Sequence, residues 1–151
     1  MRNKLILVTL FIVALVMAAG CGGGSKVERQ SGLSSEQVIH SFFDAAKDNR
    51  MNEAALYVSP SSAKDMQTVL KFVTGQDRAT IKNANLLSVK IVAQQGNYAA
   101  AVTTLQQQNS LAMFVKPVGL EKIDGEWYIV DYDQALRDAK YRVLAQLFRG
   151  I

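Results

Sequence analysis

Few side chains in this 151-residue sequence could carry out chemistry of their own. It holds one cysteine, Cys21, and one histidine, His40. Cys21 comes just after an apolar run that closes on Ala18-Ala19-Gly20, so its sulfur could be a core atom, a nucleophile or a point of covalent attachment. A transition-metal site needs three or four nitrogen or sulfur ligands, and one cysteine with one histidine cannot supply them, so no metal is expected. The sequence contains no phosphate loop, no dinucleotide glycine pattern, no Gly-x-Ser-x-Gly elbow and no His-Glu-x-x-His pair. No cofactor is implied.

Among the acids, Asp131 has the best claim on a pocket. In "EWYIVDY", strand alternation puts it on the face of Trp127 and Ile129, the side expected to meet helices. A desolvated carboxylate there is a candidate general base. The competing reading leaves it at the strand's end, solvated or bonding the backbone ahead of the next helix. A base also needs donors for the charge that develops on the substrate. Alternation sends Tyr128 and Tyr132 to the opposite face and leaves Tyr98, on another strand, as the available partner. Asp131, Trp127, Ile129 and Tyr98 are therefore the candidate pocket-lining residues. His40 is not among them, because a helical wheel turns it about 130° from the apolar face of its helix. Phe42, Phe43, Phe72, Phe114 and Trp127 read as core, although small residues such as Ala99 and Ala101 on a curved sheet would leave room for a ligand.

The elements that must position these residues start at the amino terminus. Arg2 and Lys4 form a basic head, and Leu5 to Met17 is a thirteen-residue run broken only by Thr9. A membrane span needs about 20 apolar residues, so this run reads as an export signal. Ala18-Ala19-Gly20-Cys21 resembles the lipobox of bacterial lipoprotein signal peptides, with alanine where the common form has leucine. The resemblance implies that residues 1–20 are cleaved and that Cys21 is acylated. Two or more acyl chains hold a protein stably where one is marginal. The expected address is the extracytoplasmic face of a cell membrane. Without Arg2 and Lys4 the balance is 15 basic to 13 acidic side chains, so the net charge falls from +4 to +2. No dense basic stripe remains, which excludes nucleic-acid binding.

Residues 21–32, glycine-rich and polar, read as a flexible tether with a reach of about 20 Å. The folded domain is expected over 33–151. Ser34 and Gln37 form a capping box ahead of Val38, Ile39, Phe42, Phe43 and Ala46 on one helical face. A short second helix follows, capped by Asn52, and a third begins at Ser62 and Asp65, with Met66, Val69, Leu70 and Val73 inward and Gly75 as its stop. The period then changes to two. Leu87, Val89, Ile91 and Ala93 point one way, and "YAAAVTTLQ" runs back. A strand from Leu111 is irregular near Pro117 and Gly119, and Asp124-Gly125 turns a last hairpin. Asp133 caps a final helix reaching Arg149, with Leu136, Ala139, Val143 and Leu147 inward. Its Arg137, Lys140, Arg142 and Arg149 read as a solvated face rather than a membrane patch.

Helices followed by antiparallel strands predict an α+β domain in which the N-terminal helices pack on one face of a curved sheet, with a C-terminal helix added. "VIHSFFDAAKDNRMNEAALYVSP" and "LEKIDGEWYIVDYD" resemble the opening helices and last hairpin of the nuclear transport factor 2-like superfamily. That superfamily has a cone-shaped fold and includes ketosteroid isomerase. The resemblance implies two possible functions. The leading one is a non-catalytic, membrane-anchored domain binding a protein partner or a small apolar ligand. The alternative is an isomerase- or dehydratase-type enzyme using Asp131.

Overall fold

The structure, a computed model, describes residues 27–62, 67, 69–70, 81–108 and 110–151. The export signal and Cys21 lie outside the described residues. So do Asp65, Met66, Phe72, Val73 and Gly75 of the expected third helix.

Helix α1 spans Ser35–Lys47. Ser34 Oγ accepts from the Gln37 N–H at 3.2 Å and Gln37 Oε1 accepts from the Ser34 N–H at 2.8 Å, so both halves of the capping box form. Val38, Ile39, Phe42, Phe43, Ala45 and Ala46 are buried. Asn49 takes φ 61° and ends the helix, a conformation asparagine tolerates better than most residues. Helix α2, Met51–Ala55, follows at once. Its cap is Arg50, not Asn52, and no side chain bonds its first amides. Gln67, Val69 and Leu70 are helical, and the last two are buried in the core.

Four antiparallel strands follow in the order β1-β2-β3-β4: Ala84–Gln95, Tyr98–Gln107, Met113–Ile123 and Glu126–Val130. Val58, just past α2, bridges Ile129 in parallel. The Ser59 N–H donates to Ile129 O and the Ile129 N–H to Tyr57 O, each at 2.8 Å, which covers much of the outer edge of β4. The β3–β4 turn uses Asp124 at φ 50° and Gly125 at φ 87°, the left-handed pair such a hairpin requires.

Two differences from simple alternation have local causes. β1 slips register between Leu86 and Ser88 and again between Ile91 and Ala93. The first bulge leaves Leu87 49 % exposed while Leu86 packs on the core; the second sends Ala93 to the face opposite Val89 and Ile91. β3, by contrast, is regular through Pro117 and Gly119. Its pairing with β4 stops at Gly119–Val130. The Lys122 N–H donates to Asn97 O on the β2 side, so alternate residues, Pro117 among them, turn their backbone nitrogen away from β2. Pro117 thus stands where β4 has already ended and no ladder donor is required.

The C-terminal helix is two helices. α3, Tyr132–Arg137, is capped by Asp131 rather than Asp133. Asp138 is extended, with its side chain accepting from the Lys140 N–H; a 3₁₀ turn, Ala139–Tyr141, leads into α4, Arg142–Phe148. This break changes which side chains face inward. Ala135, Tyr141, Leu144 and Phe148 are buried, whereas Leu136 is 48 % exposed and Ala139 is exposed.

The protein is an α+β fold whose sheet is covered on both faces. α1 and α2 pack on one side around Val38, Phe42, Ala99, Ala101, Val118, Leu120, Trp127 and Ile129. α3 and α4 cover part of the other around Ala100, Val130, Tyr141, Leu144 and Phe148. Each such large apolar side chain contributes about 1.5–3 kcal/mol by leaving water. Gly119 permits the second layer, since a Cβ there would lie 2.8 Å from Leu144 Cδ2 and 2.9 Å from Phe148 Cζ.

Candidate functional site

The four candidate pocket residues do not share a pocket. Trp127 and Ile129 point from β4 into the core beneath α1, at 6 % and 0 % exposure, with Ala99 and Ala101 buried beside them. Lys122 Nζ lies 5.5 Å from the Trp127 ring centre and covers its outer side. Tyr98 lies on the other face of the sheet, in the second cluster. Its ring meets Tyr141 edge-on at 6.2 Å and its hydroxyl donates to Lys140 O at 3.2 Å. Asp131 has left the strand. Its Oδ1 accepts from the Gln134 N–H at 2.8 Å as the cap of α3, and its own N–H donates to Ser62 Oγ at 2.9 Å. The Ser62 hydroxyl in turn donates to Gln134 Oε1 at 2.7 Å, closing a small polar knot. His40 is exposed on α1.

The most concentrated polar chemistry is elsewhere, around Glu121. Gly119 and Glu121 sit on the β3 face opposite Leu120, beneath the C-terminal helices, and Glu121 is 3 % exposed. Its Oε1 accepts from the Tyr141 hydroxyl at 2.8 Å and from the Ser59 hydroxyl. Its Oε2 pairs with Lys140 Nζ at 2.8 Å. Ser61 Oγ lies 2.5 Å from the Tyr141 oxygen and 2.8 Å from Ser59 Oγ. Burial opposes the charge on Lys140, but its bonds to Glu121 and Tyr141 prevail and hold its pKa above the ordinary lysine value. The carboxylate joins three segments: β3, the chain after α2 and the 3₁₀ turn before α4. With both oxygens engaged by protein donors, it is built to hold those segments together rather than to meet a substrate.

A second polar anchor lies in the stretch expected to be free tether. Arg29 donates to Glu126 Oε2 at 2.5 Å and to Trp127 O at 2.6 Å, and its guanidinium stands 4.6 Å from the Tyr128 ring centre and 5.6 Å from that of Tyr57. The Gly32 N–H donates to Glu126 Oε1 at 2.8 Å. Arg29 Nε is buried without a hydrogen-bond partner. The hydrogen bond from Gly32, then that from Arg29, lowers the Glu126 pKa below the ordinary glutamate value. These bonds tie Arg29 and Gly32, both ahead of the expected start at Leu33, to β4.

Sequence reasoning passed over Glu121, Ser59, Ser61, Tyr141 and Arg29. A Gly-x-Glu step on one strand face was the available signal for Glu121. It becomes informative only once that face is known to be covered.

Among the described residues, no group of three or more His, Cys, Asp or Glu could hold a metal ion, and no helix is long and apolar enough to cross a membrane. Two shallow clefts occur on the described surface. One of about 270 Å³ is lined by Val27 and residues 49–53. The other, of about 280 Å³, is lined by Asn85, Gln106, Gln107, Gln108, Ser110 and Leu111. Neither contains the Glu121 cluster or Asp131. No protein-family model matches the chain, and no curated protein matches it.

Proposed function

We propose that the chain is a lipid-anchored, extracytoplasmic domain of the nuclear transport factor 2-like kind, non-catalytic, that binds a protein partner or a small apolar ligand. One observation carries the preference for binding over catalysis: the carboxylate of Asp131, the proposed base, is occupied as the cap of α3. Trp127 and Ile129 add support, packed in the core instead of lining a space beside Asp131. The anchor rests on the tripartite amino terminus and Cys21.

The test of the anchor is Cys21→Ser in a bacterial host supplied with labelled fatty acid. Wild type is expected to incorporate the label; the variant is expected to incorporate none and to be left unprocessed or freely soluble. Retained label in the variant would falsify the assignment of Cys21. The core placement of Trp127 is tested on Trp127→Ala. A core role predicts a loss of about 3–5 kcal/mol in stability, whereas unchanged stability with lost ligand binding would move Trp127 from core to site.

A further inference from the structure

The end of the sheet remote from the β3–β4 turn bears apolar side chains that the described fold leaves in solvent. Leu111 is 93 % exposed, Met113 and Val115 are 63 % each, and Phe114 is 40 %. Beyond Gly119, no described strand pairs with the outer side of β3. Along the strands that form this end the charge has one sign. From Ile81 to Leu120 the sequence holds Lys82, Lys90 and Lys116 and no acid at all. Lys82 lies in the 3₁₀ turn that enters β1, whose first residue pairs with Gln107, and Lys116 follows Val115. Lys47 Nζ joins them, donating to Asn85 Oδ1 at 3.0 Å, while the adjacent acid, Asp48, is paired with Arg50.

We propose that this end docks on an anionic phospholipid surface, with Leu111, Met113 and Val115 entering the interface and Lys82 and Lys116 meeting the headgroups. A bilayer offers hydrocarbon and negative charge side by side, which is the complement of this patch. A second copy of the chain would bring the same lysines against each other. The inference rests on the membrane address proposed above, and it adds an orientation. The apolar end and Arg29 are separated by most of β3, about 33 Å for ten residue steps. The eight steps from Cys21 to Arg29 span at most about 28 Å. Both ends therefore reach one bilayer only when the sheet tilts toward its plane.

The experiment uses residues 21–151 with Cys21→Ser, so that neither an acyl chain nor the apolar run of residues 5–17 contributes, and Leu111→Cys carrying an environment-sensitive fluorophore. At 93 % exposure, position 111 accepts the label without disturbing the core. On phosphatidylglycerol–phosphatidylcholine vesicles the emission is expected to shift to the blue and to be quenched by nitroxide-bearing lipids, while the same label at Gln95, at the opposite end of β1, stays in water. Each lysine contributes about a fivefold factor near such a surface, so Lys82→Gln with Lys116→Gln should weaken the interaction about 25-fold. Position 111 remaining in water on these vesicles overturns the proposal. So does a blue shift that needs no vesicles and grows with protein concentration, which would assign the patch to a second copy; a shift induced only by an added protein would overturn it in favour of a protein partner. The anchor is read separately by fatty-acid incorporation in cells, so either reading can fail without the other.

Discussion

Glu121 is a carboxylate at 3 % exposure with hydroxyl and ammonium donors from two other parts of the chain, and such a group is stable only while its partners remain. Tyr141→Phe removes one donor and keeps the ring. It should cost about 1.5–3 kcal/mol, the range for a hydrogen bond to a charged group, measured by chemical denaturation. Asp131 gives a smaller and different signal. As the cap of α3 it should cost about 1 kcal/mol on Asp131→Ala, with ligand binding intact; lost binding at full stability would return Asp131 to the site. The two acids also differ in how far the sequence reveals them. Asp131 was legible as a strand-end residue bonding the backbone, one of its two readings. Glu121 was not, because its environment comes from Tyr141, twenty residues on and reached only through a helix break. Local pattern does not encode what a distant segment will cover.

At the scale of elements, α1 and the β3–β4 hairpin could be read closely because their determinants are local: a capping box in one and a left-handed turn pair in the other. The C-terminal helix was misread because an unbroken apolar period suggested one helix, whereas the Asp138 side chain bonds the Lys140 N–H and holds the backbone extended. The β1 bulges were equally silent, being a property of its pairing with β2. α4 can lie against the sheet only because Gly119 has no side chain. Gly119→Ala should therefore destabilise by about 1–3 kcal/mol through overpacking against Leu144 and Phe148. Amide exchange that accelerates in α4 before α1 would locate the damage in the second layer; uniform acceleration would show that the two layers respond as one.

For the molecule as a whole, acid stability should depend in part on the amino-terminal clamp. The folded-state pKa of Glu126 is lowered, so its contribution is fully present above the ordinary glutamate value of 4.5 and is lost as pH falls through the lowered one. Glu126→Gln should flatten the stability curve in that acidic window, and an unchanged slope would remove Glu126 from the account. The clamp also has a mechanical consequence. A pull on the chain ahead of Arg29 does not first reach α1, although α1 follows it in sequence. It enters through Glu126 and Trp127 into β4, a short strand flanked by β3 and by the bridge at Val58. Tension is thus delivered to the edge strand of the sheet, and the opening helix is shielded until the guanidinium lets go. Arg29 acts as a strain relief, and a force-extension trace should show its release as a short first step before the domain yields.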